Sequence, residues 1–136
     1  MVIIQTVIME NKTGKKTVLV VDDEEHVRSL LKRILRSRYE VIEASDGKMA
    51  VDLTQKQRPD IILMDIMMPK MNGDVACHIV KSNPLTSNIP VIMVTAVDHD
   101  LNKKLSLDVM GANEYITKPF EIDGLLDTIN KLLDNK

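Results

Sequence analysis

The sequence is poor in aromatic residues and in cysteine. Aromatic side chains make up 2% of the 136 residues, and tryptophan is absent. A protein that binds nucleic acid by stacking and charge needs aromatic side chains and a basic surplus, whereas the net charge here is −2. The single cysteine, Cys77, excludes an internal disulfide and is typical of a reducing compartment. We therefore expect a cytoplasmic protein with no direct nucleic-acid partner.

A hydrophobic run long enough to cross a membrane is also missing. The apolar stretch 2–9 is too short, and neither a basic start nor a small-residue cleavage site marks a signal peptide. We therefore expect no membrane partner. Residues 1–16 are predicted to be an N-terminal extension and linker, with Met1 or Met9 as the native start. Residues 17–136 are predicted to form one domain, since this length and a hydrophobic fraction of 44% suit a single core.

From Thr17 onward the sequence alternates between short apolar runs and amphipathic segments. The predicted strands are 17–21, 39–42, 60–64, 89–94 and 114–116, and the predicted helices are 24–35, 48–57, 72–82, 98–110 and 121–133. Asn72 is the expected N-cap of the third helix, and Asp23 or Glu24 that of the first. Continuous apolar runs are typical of parallel strands covered on both faces. We predict a doubly wound, flavodoxin-like α/β fold with strand order 2-1-3-4-5.

Polar side chains follow four of the predicted strands. Asp22 and Asp23 follow the first strand, Asp65 the third, Thr95 the fourth and Lys118 the fifth. In the predicted order these strand ends meet at one crevice, where open α/β sheets bind ligands. Three carboxylates repel one another unless a cation neutralises them, and oxygen ligands without His or Cys suit Mg²⁺, with Mn²⁺ as a substitute. A carboxylate beside a metal, a lysine and a hydroxyl can accept a phosphoryl group.

Four blocks of the sequence resemble the signature blocks of response-regulator receiver domains, in order and spacing. They are VLVVDDEEHVRSLL, ILMDIMMPKMNGD, VIMVTA and GANEYITKPF, and the resemblance covers essentially residues 17–135. It implies that Asp65 is the phosphoacceptor of a two-component signalling protein. It also implies that Asp23 binds Mg²⁺ directly, that Asp22 reaches the metal through water, and that the backbone carbonyl of Met67 is a further ligand.

The same resemblance assigns residues of the fourth and fifth strands. Thr95 and Tyr115 resemble the switch pair, and Lys118 resembles the phosphate-binding lysine. The peptide bond before Pro119 is expected to be cis. These assignments predict a switch in which Thr95 moves toward the phosphoryl group and Tyr115 fills the vacated space. The fourth helix, fifth strand and fifth helix then present an altered face to a downstream target protein.

The resemblance implies a signalling protein rather than an enzyme with an external substrate. A histidine kinase or phosphotransfer protein would supply the phosphoryl group, and only self-phosphotransfer and slow self-dephosphorylation are expected. The resemblance also places Met67 and Val97 beside the path of the hydrolysing water, and both residues are apolar. Neither side chain can orient that water, so we predict a long-lived phosphoryl group.

Three alternatives remain open. A flavodoxin proper needs a Ser/Thr/Gly-rich phosphate loop after the first strand, whereas DDEE is acidic. A phosphatase of the haloacid-dehalogenase type pairs its aspartate nucleophile with a second aspartate two residues on, where this chain has Met67. The third alternative is the receiver part of a larger response regulator or hybrid kinase. Because the sequence ends shortly after Leu133, a stand-alone receiver of the chemotaxis or relay type is the preferred interpretation.

Overall fold

The computed structural model describes residues 14–134. The predicted extension 1–16, with both candidate start methionines, therefore lies outside the described residues except for its last three positions. Five parallel strands form one sheet in the order β2-β1-β3-β4-β5. The strands are β1 Thr17–Val21, β2 Glu40–Ala44, β3 Ile61–Met64, β4 Val91–Thr95 and β5 Glu114–Thr117. The predicted fold class and strand order are confirmed.

The register of the strands brings their carboxyl ends to one edge. Val21 at the end of β1 pairs with Ala44 of β2 and with Met64 of β3. At the other side of the sheet, Thr95 pairs with Thr117. Residues that follow these strands directly must therefore lie near one another. The second and third strands begin one residue later than predicted and the fourth begins two residues later; Tyr39 is instead a buried residue that precedes β2.

The helices are α1 Glu25–Leu35, α2 Gly47–Gln57, α3 Gly73–Ser82, α4 Asp100–Lys104 and α5 Ile122–Asp134. Four of them lie within one residue of the predicted bounds. The predicted fourth helix over 98–110 is present over residues 100–109, but it is α-helical only over its first five residues and continues as a π-helical turn, Leu105–Val109. In this turn the N–H of Met110 donates to the carbonyl of Leu105 at 3.0 Å, one residue further than in an α-helix. Apolar spacing cannot distinguish this geometry.

The starts of the helices are set by local hydrogen bonds. Asn72 caps α3 as predicted, since its Oδ1 accepts from the N–H of Val75 at 2.9 Å. Glu24 is the N-cap residue of α1, but its side chain makes no capping bond. Its own N–H instead donates to Oδ1 of Asp22 at 3.0 Å. This bond ties the beginning of α1 to the first acidic residue of the site.

The core consists of two apolar layers on opposite faces of the sheet. On one face, Ala50 of α2 and Cys77 of α3 pack against Leu19 and Met64. On the other face the buried residues include Leu31, Leu35, Val18, Val20, Leu125 and Ile129, from α1, β1 and α5. No helix within residues 14–134 is long and apolar enough to cross a bilayer. The doubly covered sheet explains why the strand sequences are apolar throughout.

Candidate functional site

Three carboxylates meet at the carboxyl end of the sheet. Asp22 and Asp23 follow β1, and Asp65 follows the neighbouring strand β3. One carboxylate oxygen of each lies within 4.8 Å of the others. Asp22 and Asp65 are buried, whereas Asp23 is exposed to solvent. The structure thus brings together the three carboxylates that the sequence predicted to converge, and it concentrates negative charge that needs compensation.

Lys118 supplies one compensating charge from the other side of the crevice. Its Nζ donates to Oδ2 of Asp22 at 2.7 Å and to Oδ2 of Asp65 at 3.4 Å. Burial by itself lowers the pKa of Lys118, but the hydrogen bond to Asp22 and the charge of Asp65 outweigh it and raise the pKa above its ordinary value. Lys118 is therefore cationic at neutral pH. One cation against three carboxylates leaves the site negative.

The second oxygen of Asp65 has no hydrogen-bond partner within the part of the chain that the structure describes. Oδ1 is buried and makes no hydrogen bond to any residue within 14–134. An unpartnered buried carboxylate oxygen is costly, so its persistence points to a group that binds here. The surrounding donors are carboxylate oxygens without His or Cys, and such a set suits a hard divalent cation such as Mg²⁺. The residues present therefore fit the metal that the sequence predicted.

The sequence analysis did not predict the role of Arg28, which binds the backbone of the loop that carries Asp22 and Asp23. The guanidinium Nη1 of Arg28, on α1, donates to the backbone carbonyl of Asp22 at 2.8 Å. Its Nε pairs with Oε1 of Glu43, on β2, at 3.3 Å. Only 16% of the Arg28 side chain is exposed. An arginine on the helix that directly follows the two aspartates was the available signal in the sequence, but helical periodicity alone does not say which backbone carbonyl it reaches.

The loop after Asp65 folds back onto the strand that carries it. The N–H of Gly73 donates to the carbonyl of Ile66 at 2.8 Å. A Cβ built on Gly73 would lie 2.0 Å from the carbonyl oxygen of Asp65, which no side chain can tolerate. Glycine is therefore required here because α3 begins directly against the backbone of Asp65. This close approach is a second feature that sequence reasoning missed.

The predicted switch residues lie around one loop, between β4 and α4. Thr95 is fully buried, and its Oγ1 accepts from the N–H of Val97 at 3.3 Å. The hydroxyl of Tyr115 donates to the carbonyl of Val97 at 2.5 Å. Burial raises the pKa of Tyr115, and the charges of Asp74 and Asp98 raise it further. Both switch candidates are thus connected to the same loop residue.

The remaining predicted residues lie at the rim. The side chain of Met67 is 67% exposed, and that of Val97 is half-buried. Pro119 is exposed, and the Lys118–Pro119 peptide bond is cis. Met67 and Val97, the two positions predicted to lie beside the path of the hydrolysing water, therefore supply no polar side chain.

Comparison with known proteins identifies the family. A family model of the response regulator receiver domain matches residues 18–130. The chain is 43% identical over 106 residues to the alkaline phosphatase synthesis transcriptional regulatory protein PhoP of Bacillus subtilis, a match of 77% of this chain and 43% of PhoP. It is 36% identical over 122 residues to histidine kinase P4 of Formosa agariphila, a match of 90% of this chain and 9% of the kinase. The chain thus spans less than half the length of either relative.

Solved structures agree with this result. A CheY-like response regulator receiver domain protein of Methanospirillum hungatei superimposes with a TM-score of 0.83 at 30% identity, over 89% of this chain and 95% of that one. The receiver domain of the Francisella response regulator 1452 gives a TM-score of 0.81 at 33% identity, over 89% and 98% of the two chains. Sequence, fold and the acidic strand ends lead to one conclusion: this chain belongs to the response regulator receiver domain family of two-component signalling.

Proposed function

We propose that the chain is a phosphoryl-accepting signalling switch and that Asp65 is its acceptor. The observation that carries this proposal is the buried Oδ1 of Asp65, which has no hydrogen-bond partner among residues 14–134. Its other oxygen is held by Lys118, and the carboxylates of Asp22 and Asp23 lie beside it. A carboxylate with one oxygen fixed and the other oxygen available is suited to nucleophilic attack on phosphorus.

Mg²⁺ is the cofactor that this donor set favours. Asp22, Asp23 and Asp65 would hold the ion, together with the backbone carbonyl of Met67. When bound, the ion supplies positive charge that offsets the carboxylates and the incoming phosphoryl oxygens. Mn²⁺ accepts the same oxygen ligands and would substitute. Lys118 is already in place to keep the Asp22 and Asp65 carboxylates from repelling each other fully.

The donor would be the phosphohistidine of a histidine kinase or phosphotransfer protein, or a small acyl phosphate. The bond from the donor to phosphorus breaks as Oδ1 of Asp65 forms its bond to phosphorus. Lys118 balances the charge of the transferred group. Thr95 accepts a hydrogen bond from Val97 and keeps its own hydroxyl hydrogen, which it can donate to a phosphoryl oxygen.

The output would follow from movement of the loop between β4 and α4. If Thr95 turns toward the phosphoryl group, the bond between Tyr115 and Val97 must also rearrange, because both residues contact that loop. The face made by α4, β5 and α5 then changes toward a downstream target protein. This is a local charge change that biases a two-state element. The protein would act by being phosphorylated, not by turning over an external substrate.

Two other functions have weaker or different support. A phosphatase acting on external phosphoesters would need a proton-transferring group two residues after Asp65, where the exposed thioether of Met67 stands. A receiver that works within a larger regulator or hybrid kinase draws support from the matched relatives, since each is more than twice as long as the matched segment. In that arrangement the chemistry at Asp65 would be unchanged, and only the target of the altered face would differ.

The acceptor is tested by intact-mass measurement after incubation with acetyl phosphate and Mg²⁺. The wild type should gain one phosphoryl mass, and Asp65→Asn should gain none. Asp52→Asn is the matched control, because Asp52 is an exposed carboxylate on α2, away from the strand ends. A phosphoryl mass on Asp65→Asn, removed by hydroxylamine as an acyl phosphate is, would overturn the assignment.

We also propose that Met67 and Val97 prolong the life of the phosphoryl group. Neither side chain can orient a hydrolysing water by hydrogen bonding, and orientation is a large part of phosphoryl-transfer catalysis. Met67→Asn combined with Val97→Glu should shorten the lifetime on the order of tenfold, equivalent to about 1.4 kcal/mol of barrier. The phosphorylated fraction is followed by mass after the donor is removed. A wild-type lifetime of seconds, or no acceleration in the double variant, contradicts this.

A further inference from the structure

The segment formed by α4 and its π-helical turn, residues 100–109, is attached to the body by a polar residue. Ser106 is the one buried residue of this segment, and it is fully buried. The large apolar side chains of the segment are 37% to 72% exposed; they are Leu101, Leu105, Leu107 and Val109. The usual arrangement of an amphipathic helix, with apolar residues inward, is therefore absent from this segment.

The buried serine binds a buried carboxylate. The Oγ of Ser106 donates to Oδ1 of Asp74 at 2.6 Å, and Asp74 is only 8% exposed. The distance is typical of a hydrogen bond to a charged acceptor, which is stronger than one between neutral groups. Because either group left alone in the interior is destabilising, the two side chains hold each other in place. The bond joins the second residue of α3 to the second residue of the π-helical turn.

The beginning of α3 is in turn tied to the acceptor strand. Asp74 directly follows Gly73, whose N–H donates to the carbonyl of Ile66. Gly73 lies so close to the carbonyl of Asp65 that a Cβ would be 2.0 Å from that oxygen. A displacement of the Asp65 backbone must therefore move Gly73 and, with it, Asp74. This path reaches α4 without passing through Thr95 or Tyr115.

The π-helical turn offers a second position for α4. A π turn holds one residue more than an α turn. If the turn closes to α geometry, the part of the helix before it rotates relative to the part after it by about 100°. Residues adjacent in sequence are separated by the same angle on a helix. Closure therefore replaces Ser106 at the inward position by Leu105 or Leu107. An apolar side chain would be buried, and the bond to Asp74 would be lost.

We propose that Asp74 and Ser106 form a polar latch, which holds α4 in its π-containing register with its leucines exposed. Release of the latch lets α4 re-register and changes the apolar face that a partner meets. The proposal rests on the proposed function only in naming the signal, which is phosphorylation of Asp65 acting through Gly73. Asp74 and Ser106 are positioning residues, since neither is part of the acidic site itself.

The latch is tested first in the unphosphorylated protein by hydrogen–deuterium exchange with mass spectrometry. Ser106→Ala should speed exchange of backbone amides in residues 100–112 on the order of tenfold or more, because the segment loses its one buried anchor. Leu107→Ala is the matched control from the same segment and should change that exchange little. Amides of α5, residues 122–134, serve as the internal reference and should keep their rates in both variants.

Substitutions of Asp74 separate the latch from general destabilisation. Asp74→Asn keeps a side-chain oxygen that accepts from Ser106, so exchange of residues 100–112 should stay near the wild-type rate. Asp74→Ala removes the acceptor and should raise that exchange as Ser106→Ala does. The latch is overturned if Leu107→Ala loosens the segment as much as Ser106→Ala, or if Asp74→Ala and Asp74→Asn behave alike.

The link to the acceptor is tested by repeating the exchange with acetyl phosphate and Mg²⁺. Phosphorylation should speed exchange of residues 100–112 in the wild type and add little in Ser106→Ala, although both take up one phosphoryl mass. An equal increment in both proteins would overturn the link. If the wild type takes up no phosphoryl group, the proposed function fails, whereas the comparison of unphosphorylated variants still decides the latch.

Discussion

The helices before and after β5 are attached to the sheet in opposite ways. In α5, Leu125 and Ile129 are 1% and 0% exposed and belong to one apolar layer. In α4 and its π-helical turn, the single buried residue is Ser106, while Leu101 is 72% exposed and Leu105 and Leu107 are each 37% exposed. Full burial of a leucine or isoleucine stabilises by roughly 1.5 to 3 kcal/mol each, while one hydrogen bond to a charged group contributes about 1.5 to 3 kcal/mol in total.

The difference shows how one domain can combine a rigid part with a movable one. Several buried apolar anchors fail together, so α5 leaves the sheet only when the domain unfolds. In α4 and its π-helical turn the one buried side chain is Ser106, beside the contact of Lys103 with the ring of Tyr115, so this segment can detach at a smaller cost, which a local charge change can offset. The helix that follows β4, and not the one that ends the domain, is therefore suited to respond to the acidic site.

The largest expected effect concerns Cys77, which lies beneath the end of the π-helical turn. Its thiol is fully buried and donates to the carbonyl of Met110 at 3.6 Å. Burial raises the pKa of Cys77 from 9.0 to about 12. Since the thiolate is the reacting species and the buried sulfur is also out of reach of the reagent, alkylation at pH 8 should be slower than in unfolded protein by about a thousandfold or more. The rate of labelling by iodoacetamide, followed by mass, checks this value.

Labelling of the same thiol also tests whether α4 and α5 are held on the sheet with different strength. If α4 opens locally, Ser106→Ala should speed labelling of Cys77. The free energy of unfolding, measured with urea, should then fall by less than the free-energy change calculated from the labelling rates. Thr128→Ala, an exchange of one hydroxyl residue on α5, is the control and should leave the labelling rate as it is. Labelling that tracks global unfolding in every variant would show that α4 is held as firmly as α5.

The second prediction removes an anchor of α5. Ile129→Ala should lower the free energy of unfolding by about 2 to 5 kcal/mol, because it deletes buried methyl groups and leaves a cavity. Urea denaturation followed by far-ultraviolet circular dichroism measures the change. Because α5 is held by several buried apolar residues, the whole domain should lose stability, and urea unfolding should still show one transition. A loss below about 1 kcal/mol would mean that this face of the sheet is not held by apolar packing.

The third prediction strengthens α5. Gly124 lies near its start, and a Cβ built there meets no atom of residues 14–134 within 4 Å. Gly124→Ala should therefore raise the free energy of unfolding by up to about 1 kcal/mol through helix propensity. Gly73→Ala is the contrasting substitution, since its Cβ would collide with the backbone of Asp65. Thermal or urea unfolding of both variants should give changes of opposite sign, and a stable Gly73→Ala would refute the close approach.

The smallest effect is expected at the surface of α4. Leu101 is 72% exposed, so Leu101→Ala should change the free energy of unfolding by no more than about 0.5 kcal/mol. Paired with Ile129→Ala, it measures the contrast between the two helices directly. A loss in Leu101→Ala comparable with that of Ile129→Ala would mean that α4 packs its leucines inward in solution, in the register that the latch is proposed to prevent.

Much of the fold could be predicted because its signals are local. Apolar runs of strand length alternate with segments whose apolar residues recur with a period of 3.6 residues, and this alternation indicated the order of strands and helices. The crossover rule restricted the topology. Asn72 was predictable as an N-cap because its acceptor bond reaches only three residues ahead. The convergence of Asp22, Asp23 and Asp65 followed from their position at strand ends, since parallel strands in register share one edge. The chemical roles of these residues stay predictions.

What only the tertiary structure decided are contacts between residues far apart in sequence. Ser106 and Asp74 are separated by 32 residues, and neither stands out in the pattern of its own helix. The π-helical turn depends on which backbone N–H donates to a given carbonyl, the fifth residue ahead rather than the fourth, and apolar spacing does not encode this choice. The need for glycine at position 73 arises from a backbone approach to Asp65 that exists only once α3 has docked. Periodicity reports which face of an element is buried, whereas these contacts depend on which buried groups meet there.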